Sequence, residues 1–207
     1  MSDKKTEHWQ SVYQTKQPTD VSWFRPHLDV SLALLKQAGL TTESRVIDMG
    51  AGASTLVDDL LALGVRHVAA LDLSATSLEV AKQRLGPRAV QVQWLVGDAA
   101  RYPFAPSSVD LWHDRAALHF LVDPDDVAAY VANAVRTIAP HGHAVIGCFA
   151  SDGPEKCSGL PVMRREPEAI AKLFDGAFTL VDQRHEVHST PWGAPQSFAY
   201  ALLRKME

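Results

Sequence analysis

A chain of 207 residues, 46% hydrophobic and 21% charged, has room for one domain with a small appendage and can bury a sizeable core. Twenty basic against 24 acidic residues give a formal charge of −4, so no surplus of cations awaits a phosphate backbone and nucleic acid is not expected as a partner. Two cysteines, a charged opening (MSDKKTEHWQ) and the lack of any apolar run near ~18 residues argue against a disulfide framework, a secretory leader and a membrane span, and favour a cytoplasmic location.

Residues 1–25 are polar and are expected to form an arm, with a single domain over 26–207. The domain opens on an amphipathic helix at 26–39, where Leu28, Leu32 and Leu35 recur at helical spacing between Pro26 and Gly39. A β-branched run, Arg45–Met49, then feeds the turn Gly50-Ala51-Gly52 and a helix carrying Leu56, Val57, Leu60 and Leu61, with Thr55 and Asp58 spaced as a capping box. A strand at 67–73 precedes a helix marked by Leu78, Ala81 and Leu85 and stopped by Gly86. Alternation of Val90, Val92, Trp94 and Val96 predicts a third strand, and 109–112 a fourth. Asp123-Pro124 caps a helix reaching Ile138, a buried fifth strand follows at 143–150, and a short helix lies near 168–174. The chain closes on strands at 178–187 and 196–203 with no helix between them. The fold expected is α/β: a doubly wound, seven-stranded, mostly parallel sheet with an antiparallel C-terminal edge hairpin.

In open sheets of this kind the ligand sits at the carboxyl ends of the strands, and the first glycine turn marks the place. Here the turn reads Val46-Ile47-Asp48-Met49-Gly50-Ala51-Gly52-Ala53-Ser54. A dinucleotide fingerprint needs a third glycine where Thr55 stands, and Asp48 would be badly placed beside a pyrophosphate. An acid at this point suits a cationic ligand such as S-adenosylmethionine, with its sulfonium and α-ammonium, and the glycines admit close backbone approach.

The order of elements and the sequence VIDMGAGAS resemble the class I S-adenosylmethionine-dependent methyltransferases over nearly the whole chain. The resemblance implies that Asp48, Gly50 and Gly52 hold the donor, that Asp72 with Leu73 reads the ribose hydroxyls, and that Asp98 with Ala99 meets the adenine. It places the methyl acceptor near Asp110-Leu111-Trp112-His113-Asp114-Arg115, with His113 also close to the donor. His8-Trp9-Gln10-Ser11-Val12-Tyr13 and Val21-Ser22-Trp23-Phe24 are similar to the aromatic arm of small bacterial members, which implies that Trp9, Tyr13 and Trp23 close over the cofactor as a lid. Two departures stand out. Pro140-His141-Gly142-His143 replaces a Pro-Gly-Gly turn, and the Asn/Asp-Pro-Pro-aromatic tetrapeptide of many methyltransferases acting on bases or glutamine is missing.

The function expected is in-line methyl transfer from S-adenosylmethionine to a small molecule or protein side chain. A non-catalytic binding protein of the same fold, or an NAD-dependent oxidoreductase, is the rival. His113, Asp114 and His119 are the candidate acid/base groups. His141-x-His143 and His185-x-x-His188 have ligand-like spacing without a cysteine or carboxylate set, so no metal site is expected. Cys157 reads as a loop thiol near the site, because direct transfer from a sulfonium needs no covalent intermediate. The sequence assigns neither the acceptor's chemical class nor an oligomeric state.

Overall fold

The computed structural model describes residues 2–15 and 18–207. In chain order it contains α1 (Ser2–Thr15), α2 (Asp29–Gln37), β1 (Arg45–Met49), α3 (Leu56–Ala62), β2 (His67–Asp72), α4 (Ala75–Leu85), β3 (Val92–Val96), β4 (Val109–Arg115), α5 (Pro124–Thr137) and β5 (Ile138–Phe149). A two-stranded finger, β6 (Lys156–Cys157) with β7 (Leu160–Pro161), comes next, then α6 (Pro167–Lys172), β8 (Phe178–Ser189) and β9 (Pro195–Lys205). The main sheet has seven strands in the order β3-β2-β1-β4-β5-β9-β8. β1 to β5 run parallel, β9 pairs antiparallel with β5, and β8 closes the edge antiparallel to β9. This is the doubly wound sheet with an edge hairpin that the alternation of elements predicts.

The period of two along each strand divides the core. Val46, Val68, Leu111 and Val145 join Leu34, Leu35, Leu56, Leu60 and Leu78 of α2, α3 and α4 in one apolar cluster. Ile47, Met49, Trp112 and Ile146 join Tyr130 and Ala134 of α5 and Ile170 of α6 in the other. Leu34 and Leu35 are fully buried, and each such side chain contributes roughly 1.5–3 kcal/mol.

Boundaries differ from the pattern in instructive places. Gly86 to Gln91 wind into a 3-10 turn, so β3 begins at Val92 and Val90 stands 89% exposed. β4 runs on to Arg115, which carries it past the apolar run into the polar residues of the site. The capping box does not form: the Thr55 hydroxyl donates to the Arg25 carbonyl (2.9 Å), and Asp58 is held by Arg84. Helix α1 has no counterpart in the expected arm, although Trp9, Val12 and Tyr13 have i, i+3, i+4 spacing. Among the expected arm's central residues, Lys16 and Gln17 lie outside the described residues, and Pro18–Asp20 form a 3-10 turn. No helix among the described residues is long and apolar enough to cross a membrane.

Candidate active site

The carboxyl ends of β1, β2, β3 and β4 meet under α1 around a cavity of about 140 Å³. β1 runs directly into the glycine turn, where Gly50 (φ +64°) and Gly52 (φ +54°) adopt the left-handed conformation that side chains resist. The Ala51 amide donates to the Leu71 carbonyl (2.9 Å), which ties the turn to β2. A Cβ at position 50 would stand 2.5 Å from the Cβ of Ala117, and one at position 52 would strike the Tyr13 hydroxyl. Backbone therefore lies bare at the floor because both sites exclude a side chain.

Asp48 and His113 are partners in the β1–β4 register and point to the same face. His113 Nδ1 lies 2.7 Å from Asp48 Oδ1, and its Nε2 lies 2.8 Å from the Ser31 hydroxyl on α2. All three residues are at least 98% buried, with exposures of 2%, 1% and 0%. Ser31 does not line the cavity, so this Ser–His–Asp chain presents no nucleophile to a ligand. The second Asp48 oxygen, Oδ2, is buried with no hydrogen-bond partner among the described residues.

Asp72 ends β2 beside Leu73. Its Oδ2 accepts from the Gly52 amide (2.8 Å) and its Oδ1 from the Ser74 amide (2.7 Å), the latter at the N-cap of α4. Burial pushes this carboxyl up to about 6 against those hydrogen bonds, and the charge of Asp48 adds to the rise. Asp98 follows β3 and starts a turn: its Oδ1 accepts from the Ala100 amide (2.9 Å), and Arg101 pairs with its Oδ2 at 3.3 Å. Asp48, Gly50, Asp72, Leu73, Asp98 and Ala99 all line the cavity, whereas Gly52 reaches it through the contact with Tyr13.

The roof comes from α1 and the segment after it. The Trp9 ring packs against Phe120 (5.0 Å) and Trp23 (5.8 Å), and Tyr13 against Trp23 (6.3 Å). Gln10 pins the helix by accepting from Ser74 Oγ (3.2 Å) and Thr76 Oγ1 (2.5 Å), and Lys5 pairs with Asp126 at 3.2 Å. Burial raises the Tyr13 hydroxyl far above its usual range, helped by the charge of Asp72, so it stays protonated.

Two of the expected acid/base candidates are elsewhere. Strand alternation turns Asp114 to the opposite face from His113, and it does not line the cavity. Its oxygens accept from Tyr130 Oη (2.6 Å), the Ala117 amide (2.8 Å) and the Leu118 amide (3.1 Å). Asp114→Ala is therefore expected to destabilise the fold by about 1–3 kcal/mol, roughly 2–12 °C in Tm, with the affinity of the folded protein for adenosyl ligands unchanged. Thermal melts and calorimetry on the same sample check this. His119 is fully buried between Phe120 (4.4 Å) and Phe149 (4.7 Å) and also misses the cavity. Burial, then the charges of Arg115 and Arg165, push its imidazole down to about 3, so the ring is neutral at pH 7 and is not a general acid.

Residues 46–142 match a family model described as a methyltransferase domain. Residues 46–142 thus carry a methyltransferase domain. It is 25% identical over 181 residues to the malonyl-acyl-carrier-protein O-methyltransferase of Chlorobium luteolum, covering 84% of this chain and 67% of that one. It is 23% identical over 122 residues to the eEF1A lysine and N-terminal methyltransferase of Mus musculus, a match spanning 58% of this chain but only 17% of the mouse protein. Its fold is similar to that of the Burkholderia thailandensis 1,6-didemethyltoxoflavin-N1-methyltransferase solved with 1,6-didemethyltoxoflavin and S-adenosylhomocysteine, with a TM-score of 0.70, 22% identity and coverage of 100% and 87% of the two chains.

The matched stretch contains the glycine turn, Asp48, Asp72, Asp98, β4 and the start of β5, and leaves α1, Trp23, Phe149 and β9 outside it. β5 and β9 add Phe149 and Phe198 to the cavity, neither of which the sequence singles out, and β4 adds Arg115, the last residue of the segment where the resemblance puts the methyl acceptor but given no role there. For Arg115 a signal was present: it lies two residues beyond His113 and so shares its face. Among the described residues no group of three or more His, Cys, Asp or Glu is placed to hold a metal ion. His185 instead meets Glu166 (2.8 Å), and His188 donates to the Ser22 carbonyl (2.6 Å).

Proposed function

We propose that this domain binds S-adenosylmethionine across the glycine turn and transfers its methyl group to a small molecule enclosed beneath α1. The observation that carries the reading is Asp48 Oδ2, a buried carboxylate oxygen without a partner at the wall of the cavity. Such an oxygen is costly unless a cation meets it, and the donor's α-ammonium is one. Asp48 would hold that ammonium, with His113 and Ser31 fixing its orientation from behind. Asp72 would take the ribose hydroxyls beside Leu73, and Asp98 the adenine amino group, with the Ala99 amide on a ring nitrogen. Gly50 and Gly52 would let backbone approach the ligand, and Trp9, Tyr13 and Trp23 would cover it.

The donor supplies a methyl already activated on a sulfonium, so an acceptor lone pair forms the new bond while the C–S electron pair returns to sulfur. What the chain adds is alignment and exclusion of water, worth up to ~7–11 kcal/mol by effective-molarity arguments, against ~10²–10⁴-fold from a general base. No base stands ready: both His113 nitrogens are engaged, and Asp114 and His119 face other surroundings. The roof of aromatic rings favours a small acceptor over an exposed protein side chain. We read residues 1–25 as a closing arm on the domain at 26–207, and the two cysteines in the sequence as suited to the cytoplasm.

Calorimetry tests the binding: heat from S-adenosylmethionine and S-adenosylhomocysteine but not from NAD is expected, and the reverse overturns the assignment. Incubation with labelled donor and fractionated lysate tests turnover, with label expected in small molecules. Label confined to protein would overturn the small acceptor, and no transferred label would leave a binding protein. Asp72→Ala should weaken both adenosyl ligands by about 10- to 150-fold. Hydroxyl donors favour the ionised carboxyl, so a ligand bound to Asp72 must displace its proton below a pH of about 6. Affinity should therefore fall as pH drops through that value, and titration at about pH 5 in buffers of different ionisation heat should show a proton released. Binding with no proton exchange would remove Asp72 from the contact.

A further inference from the structure

The wall of the cavity is electrically divided. The segments at the ends of β1, β2 and β3 present Asp48, Asp72 and Asp98, while β4 ends in Arg115. That guanidinium is held on three sides: Nε donates to the Tyr200 hydroxyl (3.0 Å), Nη1 donates to the Trp23 carbonyl (3.2 Å), and the group lies 4.2 Å over the Phe198 ring. Its Nη2 is buried and has no hydrogen-bond partner among the described residues. No carboxylate among the described residues answers it directly. Tyr200 passes its own hydroxyl hydrogen to Glu186 Oε2 (2.7 Å), and Glu186 is already paired with Arg25 at 3.3 Å.

We infer that the methyl acceptor is a small, flat molecule bearing a carboxylate, and that Arg115 is the residue that receives this anion. The inference rests on the donor reading above and extends it to the acceptor. A fixed guanidinium with an idle N–H makes a charge-assisted bond without losing side-chain freedom, and in an apolar setting that bond is strong. The setting is apolar: Phe24, Phe120, Phe149 and Phe198 line the same cavity as Arg115, and rings of this kind accept a planar body. β5 and β9, which carry Phe149 and Phe198, lie on the far side of β4 from β2 and β3, whose carboxylates are given to adenosine. The carboxylate is thus an anchor, and pairing with the guanidinium makes its oxygens poor nucleophiles, so the methyl goes to another atom of the acceptor.

The experiment uses the full chain saturated with S-adenosylhomocysteine and a matched pair of probes, benzoate and benzamide, followed by ligand-observed NMR and competition calorimetry. Benzoate is expected to bind about 10-fold or more tightly than benzamide, and Arg115→Gln should weaken benzoate by about 10- to 100-fold. Arg115→Gln should leave S-adenosylhomocysteine affinity within about twofold and Arg115→Lys should retain part of the preference for benzoate. Equal binding of the two probes, or no binding of benzoate, overturns the inference without recourse to a variant. Loss of S-adenosylhomocysteine affinity in Arg115→Gln also overturns it, by assigning the guanidinium to the donor's own carboxylate. Absence of S-adenosylhomocysteine binding by the unaltered protein overturns the donor reading, and this inference with it.

Discussion

Gly52→Val is expected to take S-adenosylhomocysteine binding below detection while the chain still folds. Two independent effects combine at this position. Position 52 has φ +54°, where a β-branched residue costs about 1–3 kcal/mol, or roughly 2–12 °C in Tm for a domain of this size. In addition, the new side chain would meet the Tyr13 hydroxyl and stand over the amide that Asp72 accepts from. Backbone approach at the floor and the seat of α1 at the roof are thus lost together. A melt that shows a cooperative transition, alongside calorimetry that shows no ligand heat, is the expected pair of results. Retained affinity would mean that the glycine turn serves only the connection between β1 and α3.

Trp9→Ala combined with Tyr13→Ala is expected to weaken adenosyl ligands by at least about tenfold, with little change in the Tm of the ligand-free protein. The reason lies in where the rings go. Neither belongs to the two apolar clusters that hold the sheet to its helices; their ring partners are His8, Trp23, Phe120 and each other. Truncating a ring inside a core costs ~3–5 kcal/mol, which would appear in the ligand-free melt; truncating a ring over a cavity appears only when the cavity is filled. Hydrogen exchange of residues 8–15 with and without S-adenosylhomocysteine separates the cases. Ligand-dependent protection is expected, and equal, strong protection in both states would make α1 a fixed part of the fold.

Most of the fold was legible because its strands are short β-branched runs between glycine turns and helices with one apolar face. β1, at Arg45–Met49, has the boundaries the sequence suggested, and the lack of a helix before β9 was enough to predict the edge hairpin. Helix α1 was missed because its three apolar residues, within fourteen, cover a cavity rather than a core and so make only one turn of pattern. The finger of β6 and β7 was missed because two residues per strand carry no periodicity. Within the site, the acids at the strand ends stood out because they interrupt apolar runs. The three polar residues His113, Asp114 and Arg115 could be sorted only by strand parity, which sends Asp114 to the Tyr130 side and the other two to the cavity. His119 gave no such cue, since its burial between Phe120 and Phe149 depends on a 3-10 turn, at Leu118–Phe120, that the sequence does not announce.

The position of β8 at the sheet's outer edge bears on how the protein behaves in a crowded solution. A twelve-residue edge strand offers a row of unpaired amides and carbonyls to any passing strand, and Val181 and Val187 stand 48% and 67% exposed on it. Three features blunt that invitation. The register slips between Leu180 and Asp182, which twists the strand, and Asp182, Arg184 and Glu186 place alternating charges along its length. Arg184 also folds back onto Asp182 at 2.7 Å, close to the bulge. Replacing Asp182 and Arg184 with threonine or valine would turn the same edge into a template for self-association.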